Sequence, residues 1–151
     1  MSMKFETCPV CRVGTASEVV IGRVDVKVPE GKVSIEGDRL MRCDAPACHE
    51  EYYTDDQARE RSEKIAAARR KLRDEKRILQ PEDIVRIRTK YQLTQRRLEQ
   101  LLGLGPKTVV RWEKGYQMPS VAADNLLRVI DRDPSVLAYL AEIRTQKPMA
   151  M

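Results

Sequence analysis

The spacing of apolar residues changes along the chain from a strand-like period to a helix-like period. Within residues 19–35, β-branched residues nearly alternate with polar ones on both sides of a Pro-Glu-Gly-Lys turn. The alternating residues are Val19, Ile21, Val24, Val26 and Val28 before the turn and Val33 and Ile35 after it. Because successive side chains of a strand point to opposite faces, this pattern predicts a small β-hairpin or meander.

A different pattern begins at residue 55. Residues 55–79 contain no Gly or Pro and are rich in Ala, Arg, Lys and Glu, and Thr54 is positioned as an N-cap, which predicts one long polar helix. Its apolar repeat, at Ile65, Leu72 and Leu79, is too short for a coiled coil. We interpret residues 54–80 as a helical linker. Its basic run at residues 69–71 fits a solvated face better than contact with a DNA backbone.

Residues 81–151 carry apolar residues at helical spacing, divided by start signals into five segments. Pro fits the first position of a helix, and Thr, Ser or Asp fits its N-cap. The predicted starts are Pro81, Thr94, Pro106, Ser120 and the Asp133-Pro134 pair. The pattern predicts a compact all-α domain of five short helices, which makes the whole chain a two-domain α+β protein.

Charge is distributed unevenly along the chain. Residues 1–53 carry a net charge of −2, residues 54–80 of +3 and residues 81–151 of +4. This excess permits a polyanionic partner and directs attention to the part after residue 54. Neither a signal peptide nor an apolar run of about 20 residues is recognisable, so we expect a cytoplasmic protein with no membrane partner.

All four cysteines lie in the first third of the chain, in two pairs. Cys8 and Cys11 are separated by two residues, and Cys43 and Cys48 by four. Two such turns can direct four thiolates at one tetrahedral ion, which predicts a structural Zn²⁺ site without an open position for catalysis. Two disulfides are the alternative, and they suit secreted chains better. His49 could replace Cys48 as a ligand, although paired thiolates already complete the set.

The predicted helices that begin at Thr94 and Pro106 are joined by a short Gly-containing turn, as in a helix-turn-helix. In that motif the N-terminal end of the second helix faces base edges in the major groove. Side chains there that can contact bases or phosphates are Lys107, Thr108 and Arg111. The start of the first helix can hold phosphate. A helical bundle with a charged surface is the alternative interpretation.

The residue pattern resembles a known motif. Residues 93–130 resemble the Xre/Cro-type helix-turn-helix in carrying Thr94-Gln95, Leu98, Gly103, Val110-Arg111-Trp112-Glu113-Lys114-Gly115 and Pro119. Together with the N-terminal Cys8-Pro9-Val10-Cys11 zinc motif, this architecture is similar to that of the MqsA family of antitoxins, the group with a YgiT-type zinc finger.

The resemblance implies a type II antitoxin of three parts. Residues 1–53 would be a zinc domain that neutralises a toxin, commonly an mRNA-cleaving ribonuclease, and residues 54–80 a linker. Residues 81–151 would form a homodimer that binds palindromic operator DNA and represses its own operon. The implied zinc ligands are Cys8, Cys11, Cys43 and Cys48, and the implied base contacts are Lys107 and Arg111. With the positions at the starts of the two helices, the predicted DNA contacts are Thr94, Gln95, Arg97, Lys107, Thr108 and Arg111.

Two other function classes are the alternatives to this interpretation. An enzyme is disfavoured because the single His adjoins a predicted metal ligand, and neither a Gly-rich phosphate loop nor a metalloprotease motif occurs. A zinc-containing transcriptional repressor without a toxin partner is the second alternative. Residues 1–53 do not distinguish that repressor from an antitoxin.

Overall fold

The computed structural model describes residues 5–145, which belong to two compact units that meet between Lys71 and Leu72. The first unit contains an antiparallel sheet, and helices follow it, so the predicted mixed α+β class is confirmed. Residues 1–4 and 146–151 of the two predicted domains lie outside the described residues.

The strands are β1 (Phe5–Thr7), β2 (Thr15–Val28), β3 (Gly31–Cys43) and β4 (Glu51–Tyr52). The helices are α1 (Asp55–Glu75), α2 (Pro81–Lys90), α3 (Gln95–Leu102), α4 (Thr108–Glu113), α5 (Val121–Arg132) and α6 (Ser135–Thr145).

The sheet is built around the predicted hairpin, with strand order β1-β2-β3-β4. Strands β2 and β3 pair in a register that sets Val24 opposite Ile35 and Val28 opposite Gly31. Val33 and Ile35, two positions apart on β3, share one buried face. The adjacent residues Leu40 and Met41 point to opposite faces, and both are buried. Strands β1 and β4, which the apolar pattern did not predict, extend the sheet beside the cysteine-bearing ends of β2 and β3.

Helix α1 begins where the sequence predicts, because Thr54 Oγ1 accepts a hydrogen bond from the backbone N–H of Gln57 at 3.4 Å. The helix then contacts the hairpin through charged groups. Arg69 donates from Nε and Nη2 to the two carboxylate oxygens of buried Glu30, each at 2.9 Å. Arg61 donates to Oδ2 of buried Asp38 at 3.1 Å. The boundary between the units therefore falls inside the stretch interpreted as a linker, since residues up to Lys71 belong with the sheet.

The second unit is an all-helical packing around one apolar core. The core consists of Leu79, Ile84, Ile87, Leu98, Val109, Trp112, Leu127 and Ile130. Two helix starts carry the predicted caps: Thr94 Oγ1 accepts from Arg97 N at 3.0 Å, and Ser120 Oγ accepts from Ala123 N at 3.2 Å. Within the described part of the chain, no helix combines the length and the apolar character that crossing a membrane requires.

The start of α4 differs from the prediction. Pro106 was expected to open this helix, but Lys107 adopts the left-handed conformation (φ 63°), and the helix begins at Thr108. A left-handed residue cannot continue a right-handed helix, so Lys107 occupies the N-cap position rather than the first turn. The helix ends at Glu113, and Gly115 follows it with φ 70°, as its sequence position suggests.

Candidate metal centre and nucleic-acid interface

The four cysteines meet at one end of the sheet. Cys8 and Cys11 lie in the turn between β1 and β2, Cys43 is the last residue of β3, and Cys48 lies in the turn before β4. Their Sγ atoms all lie within 4.8 Å of one another, with 3.9 Å between Cys8 and Cys48 and 3.7 Å between Cys11 and Cys43. Antiparallel pairing of β2 with β3 joins the two turns, which are more than thirty residues apart in sequence.

The sulfur positions suit a tetrahedral metal ion. Metal–sulfur bonds of 2.3 Å in a regular tetrahedron separate the sulfurs by about 3.8 Å. The two distances above lie within 0.1 Å of that separation, whereas a disulfide bond requires about 2.05 Å between sulfurs. All four residues are free thiols. The cluster could therefore bind a metal ion.

Local backbone structure shapes the cysteine turns. The N–H of Gly14 donates to Cys11 Sγ at 3.3 Å, and the N–H of Ala45 donates to Cys43 Sγ at 3.4 Å. The Gly14 N–H is the main reason that the pKa of the Cys11 thiol is lowered to about 6. At Cys11 the lowered pKa favours the thiolate, which is the form that binds metals. Although the Ala45 N–H lowers the pKa of Cys43, desolvation and the neighbouring thiols outweigh this hydrogen bond and raise that pKa to about 12.

Glycine at position 14 is required by the space beside the cluster. A Cβ added there would lie 2.5 Å from Cys43 Sγ and 2.7 Å from the Ala45 Cβ. The next residue, Thr15, donates its N–H to Asp44 Oδ1 at 2.8 Å, which ties the first cysteine turn to the second. Gly14 carries no signal in the sequence alone, because its role depends on Cys43, 29 positions away.

His49 does not join the cysteine cluster. It is exposed and follows Cys48 with a left-handed backbone (φ 49°). Among the described residues, the group of side chains that could hold a metal consists of Cys8, Cys11, Cys43 and Cys48.

The second candidate site surrounds the loop between α3 and α4. Arg97, Lys107 and Arg111 are exposed there, and Thr108 is half-buried. Thr94 is also exposed, and its hydroxyl is engaged as the α3 cap. These side chains are among the predicted DNA contacts.

Gln95, the remaining predicted contact, is held by the protein itself. Its Nε2 donates to Glu113 Oε2 at 2.6 Å. Glu113 also accepts from Arg88 Nε at 2.5 Å and from Arg88 Nη2 at 3.2 Å. This network joins α2, the start of α3 and the end of α4, so the Gln95 side chain is oriented before any ligand binds.

A shallow pocket of about 390 Å³ lies between α3 and the start of α4. Its lining consists of Gln95, Arg96, Glu99, Pro106, Lys107 and Val110. Arg96 and Glu99 were not among the predicted site residues. Glu99 is nearly buried and accepts a hydrogen bond from the backbone N–H of Val109 at 3.0 Å. No local pattern signals that contact, because it depends on how α3 and α4 cross.

Similarity to known proteins extends over both the cysteine cluster and the α3–α4 region. Residues 6–144 match the family described as the MqsA antitoxin component of a bacterial toxin-antitoxin system. The chain belongs to the MqsA antitoxin family. The match includes the four cysteines and extends almost to the end of α6, so the family resemblance seen in the sequence is confirmed.

Two relatives of the chain are named antitoxins. Antitoxin MqsA of Escherichia coli (strain K12) is 30% identical over 132 residues, which cover 86% of this chain and 95% of the relative. Antitoxin HigA-2 of Vibrio cholerae serotype O1 is 31% identical over 65 residues, which cover 43% of this chain and 62% of the relative. Membership of the family supports an antitoxin role in a toxin-antitoxin system.

Proposed function

We propose that the chain is a type II antitoxin that neutralises a toxin through its cysteine-bearing unit and represses its own operon through α3 and α4. The observation that carries this proposal is the extent of the family match, which covers residues 6–144 and so includes both units. The protein would act in the cytoplasm and would have no enzymatic activity of its own.

The proposed metal is a structural Zn²⁺ bound by Cys8, Cys11, Cys43 and Cys48. Four thiolates are the usual ligands of structural zinc, and they leave no coordination position for a reactive water. When bound, the ion would join the two cysteine turns and contribute to the folding free energy of a small sheet. The tetrahedral sulfur spacing supports this assignment.

The proposed DNA interface is a helix-turn-helix made by α3 and α4. In this interpretation Lys107, Thr108 and Arg111 face the major groove, with Arg111 as the residue able to bind guanine bidentately. Thr94, Gln95 and Arg97, at the start of α3, would lie against the phosphate backbone. Exposure of Lys107 and Arg111 supports this arrangement, because both side chains can reach a ligand without refolding.

The second unit is proposed to form a homodimer on a palindromic operator. One small unit makes few base contacts, whereas two half-sites about one helical turn apart combine their binding energies. Helix α6 offers an apolar surface for self-association, since Tyr139 is 62% exposed and Ile143, one turn later, is 44% exposed.

The proposed toxin partner binds the cysteine-bearing unit, and an mRNA-cleaving ribonuclease is the expected class. One exposed valine lies within the first cysteine turn and a second lies just after it, and both offer apolar contact area: Val10 is 59% exposed and Val13 is 86% exposed.

The test of this function combines copurification with a DNA-binding assay. The chain is expressed together with the adjacent gene, any complex is isolated, and both forms are applied to the upstream DNA in a gel shift. We expect a small partner that loses ribonuclease activity in the complex, and a shifted palindrome. An Arg111→Ala variant should lose the shift, and Arg132→Ala, which removes an exposed arginine of α5, should retain it. A shifted palindrome without a partner would instead indicate a repressor that has no toxin.

A further inference from the structure

Glu99 connects the two helices of the proposed helix-turn-helix through a buried carboxylate. It lies on α3 and is only 7% exposed. Its Oε1 accepts a hydrogen bond from the backbone N–H of Val109 at 3.0 Å, and this bond is buried. Val109 is the second residue of α4, so the contact spans ten positions in sequence and fixes the beginning of one helix to the other.

Helix α4 needs a partner of this kind because its own N-cap supplies none. The first N–H groups of a helix have no partner within the helix and are usually satisfied by the N-cap side chain. Lys107 occupies the N-cap position with a left-handed backbone, and its side chain makes no cap hydrogen bond. The carboxylate of Glu99 therefore replaces the missing cap, and its charge is favourable at the positive end of the helix dipole.

Because α4 is short, this hydrogen bond supplies a large part of the stability of the helix. Six residues are too few for a helix to be stable without tertiary contacts. At the opposite end, Glu113 is bonded to Arg88 and Gln95. Carboxylates thus fix both ends of α4, and Glu99 is the one at the end that carries the proposed base contacts.

We infer that Glu99 is a positioning residue that fixes the first turn of α4 for sequence-specific DNA recognition. This inference rests on the proposed function. Glu99 acts through the backbone of Val109, and the side chains that it positions are Lys107 and Arg111. Base contacts require side chains held to within about 0.5 Å, whereas phosphate contacts tolerate more movement. Loss of the Glu99 bond should therefore weaken binding to the operator more than binding to unrelated DNA.

The test compares Glu99→Leu with Glu99→Gln. Leucine preserves approximate volume but provides no acceptor, whereas the glutamine amide oxygen can still accept from Val109. Fluorescence anisotropy is measured with labelled upstream DNA and with a scrambled duplex at one salt concentration. We expect Glu99→Leu to lower operator affinity about tenfold and scrambled-DNA affinity less than twofold, as expected for a lost base contact rather than a lost phosphate contact. Glu99→Gln should stay within about threefold of the wild type on both duplexes.

Asp124→Ala is the matched control for a purely structural effect. Asp124 is also buried, and its Oδ1 accepts from the backbone N–H of Leu79 at 2.7 Å, so it caps a backbone group in the same unit but not on α4. We expect this variant to melt at a lower temperature and to keep the wild-type ratio of operator to scrambled affinity. Amide hydrogen exchange at Val109 should accelerate in Glu99→Leu and stay unchanged in Glu99→Gln.

The outcomes separate the inference from the function on which it rests. A wild-type chain that does not distinguish the operator from scrambled DNA refutes the proposed function, and the positioning role fails with it. If the wild-type chain distinguishes the two duplexes and Glu99→Leu is equally selective, the inference is overturned and the proposed function stands. Unchanged Val109 exchange in Glu99→Leu also overturns it. If Glu99→Leu does not fold, Glu99→Asp retracts the carboxylate by one methylene, and full selectivity in that variant overturns the inference.

Discussion

Replacing Gly14 by alanine tests the metal site by adding a single methyl group. That methyl carbon would lie 2.5 Å from Cys43 Sγ, 2.7 Å from the Ala45 Cβ and 3.1 Å from Asp44 Oδ1. Non-bonded heavy atoms normally approach to about 3.5–4.0 Å. One of the two cysteine turns must therefore move by roughly 1 Å to accommodate it. The methyl group meets neighbours on more than one side, so rotation of one side chain does not relieve the contact.

The expected magnitude follows from the tolerance of metal coordination. Metal–ligand distances hold to within about 0.2 Å, so a displacement of roughly 1 Å removes Cys43 from the coordination sphere or distorts the others. Losses of 10–100-fold are typical when only the groups around the ligands are changed. We expect the larger value, about 100-fold, which corresponds to about 2.7 kcal/mol of metal-binding free energy.

The assay is competition for Zn²⁺ with a chromophoric chelator at fixed pH, together with thermal unfolding followed by circular dichroism. Gly22→Ala is the matched control, because a Cβ at Gly22 in the middle of β2 would have no heavy atom within 4 Å. Its zinc affinity should equal that of the wild type. If Gly14→Ala binds Zn²⁺ within threefold of the wild type, the cysteine geometry is not what determines metal affinity, and the reasoning is refuted.

Three further predictions concern the second unit. Arg111→Ala should cost roughly 1–3 kcal/mol on the operator and relax selectivity at one base pair, measured by titration against single-base operator variants; equal losses on every duplex would indicate a phosphate contact. Glu113→Ala should destabilise by roughly 3–5 kcal/mol in urea unfolding, because it leaves the Arg88 charge without its bidentate partner in a largely buried position. Arg86 lowers the pKa of Asp131, so ionised Asp131 stabilises the fold above its unfolded-state pKa, and this stability disappears as pH falls through the folded pKa. Asp131→Asn should therefore be less stable than the wild type at neutral pH and equally stable at low pH, which pH-dependent melting would check.

Local patterns predicted those features whose physical cause is local. Alternation of β-branched residues predicted the hairpin because a strand exposes its faces in turn. Thr94 and Ser120 were predicted as caps because a hydroxyl reaches the N–H three residues later, whatever the rest of the chain does. The meeting of Cys8 with Cys48, 40 positions apart, was also predicted, because four thiolates on two turns can bind one tetrahedral ion.

Features set by packing between distant segments escaped prediction. Pro106 is a common first residue of a helix, yet α4 begins at Thr108 because Lys107 turns left-handed there and Glu99, ten residues before Val109, caps the first turn instead. An acidic residue on a short helix normally indicates a solvated face. Only the crossing of α3 and α4 reveals that this carboxylate is buried and has a partner.

Packing between distant segments also decides the role of the basic run at residues 69–71. From sequence it could be a solvated face or, as the minor alternative, a surface for the DNA backbone. Arg69 instead forms a two-bond pair with Glu30, whose side chain has no exposed surface. If Arg69 turned to a phosphate group, it would leave a buried carboxylate without this partner, at a cost that a single phosphate contact does not offset. Glu30 lies 39 residues earlier, at the tip of the hairpin, so no helical pattern could have predicted the pair. Arg69 therefore stabilises the packing of α1 on the hairpin. Any contact between this basic run and DNA would have to be made by residues other than Arg69.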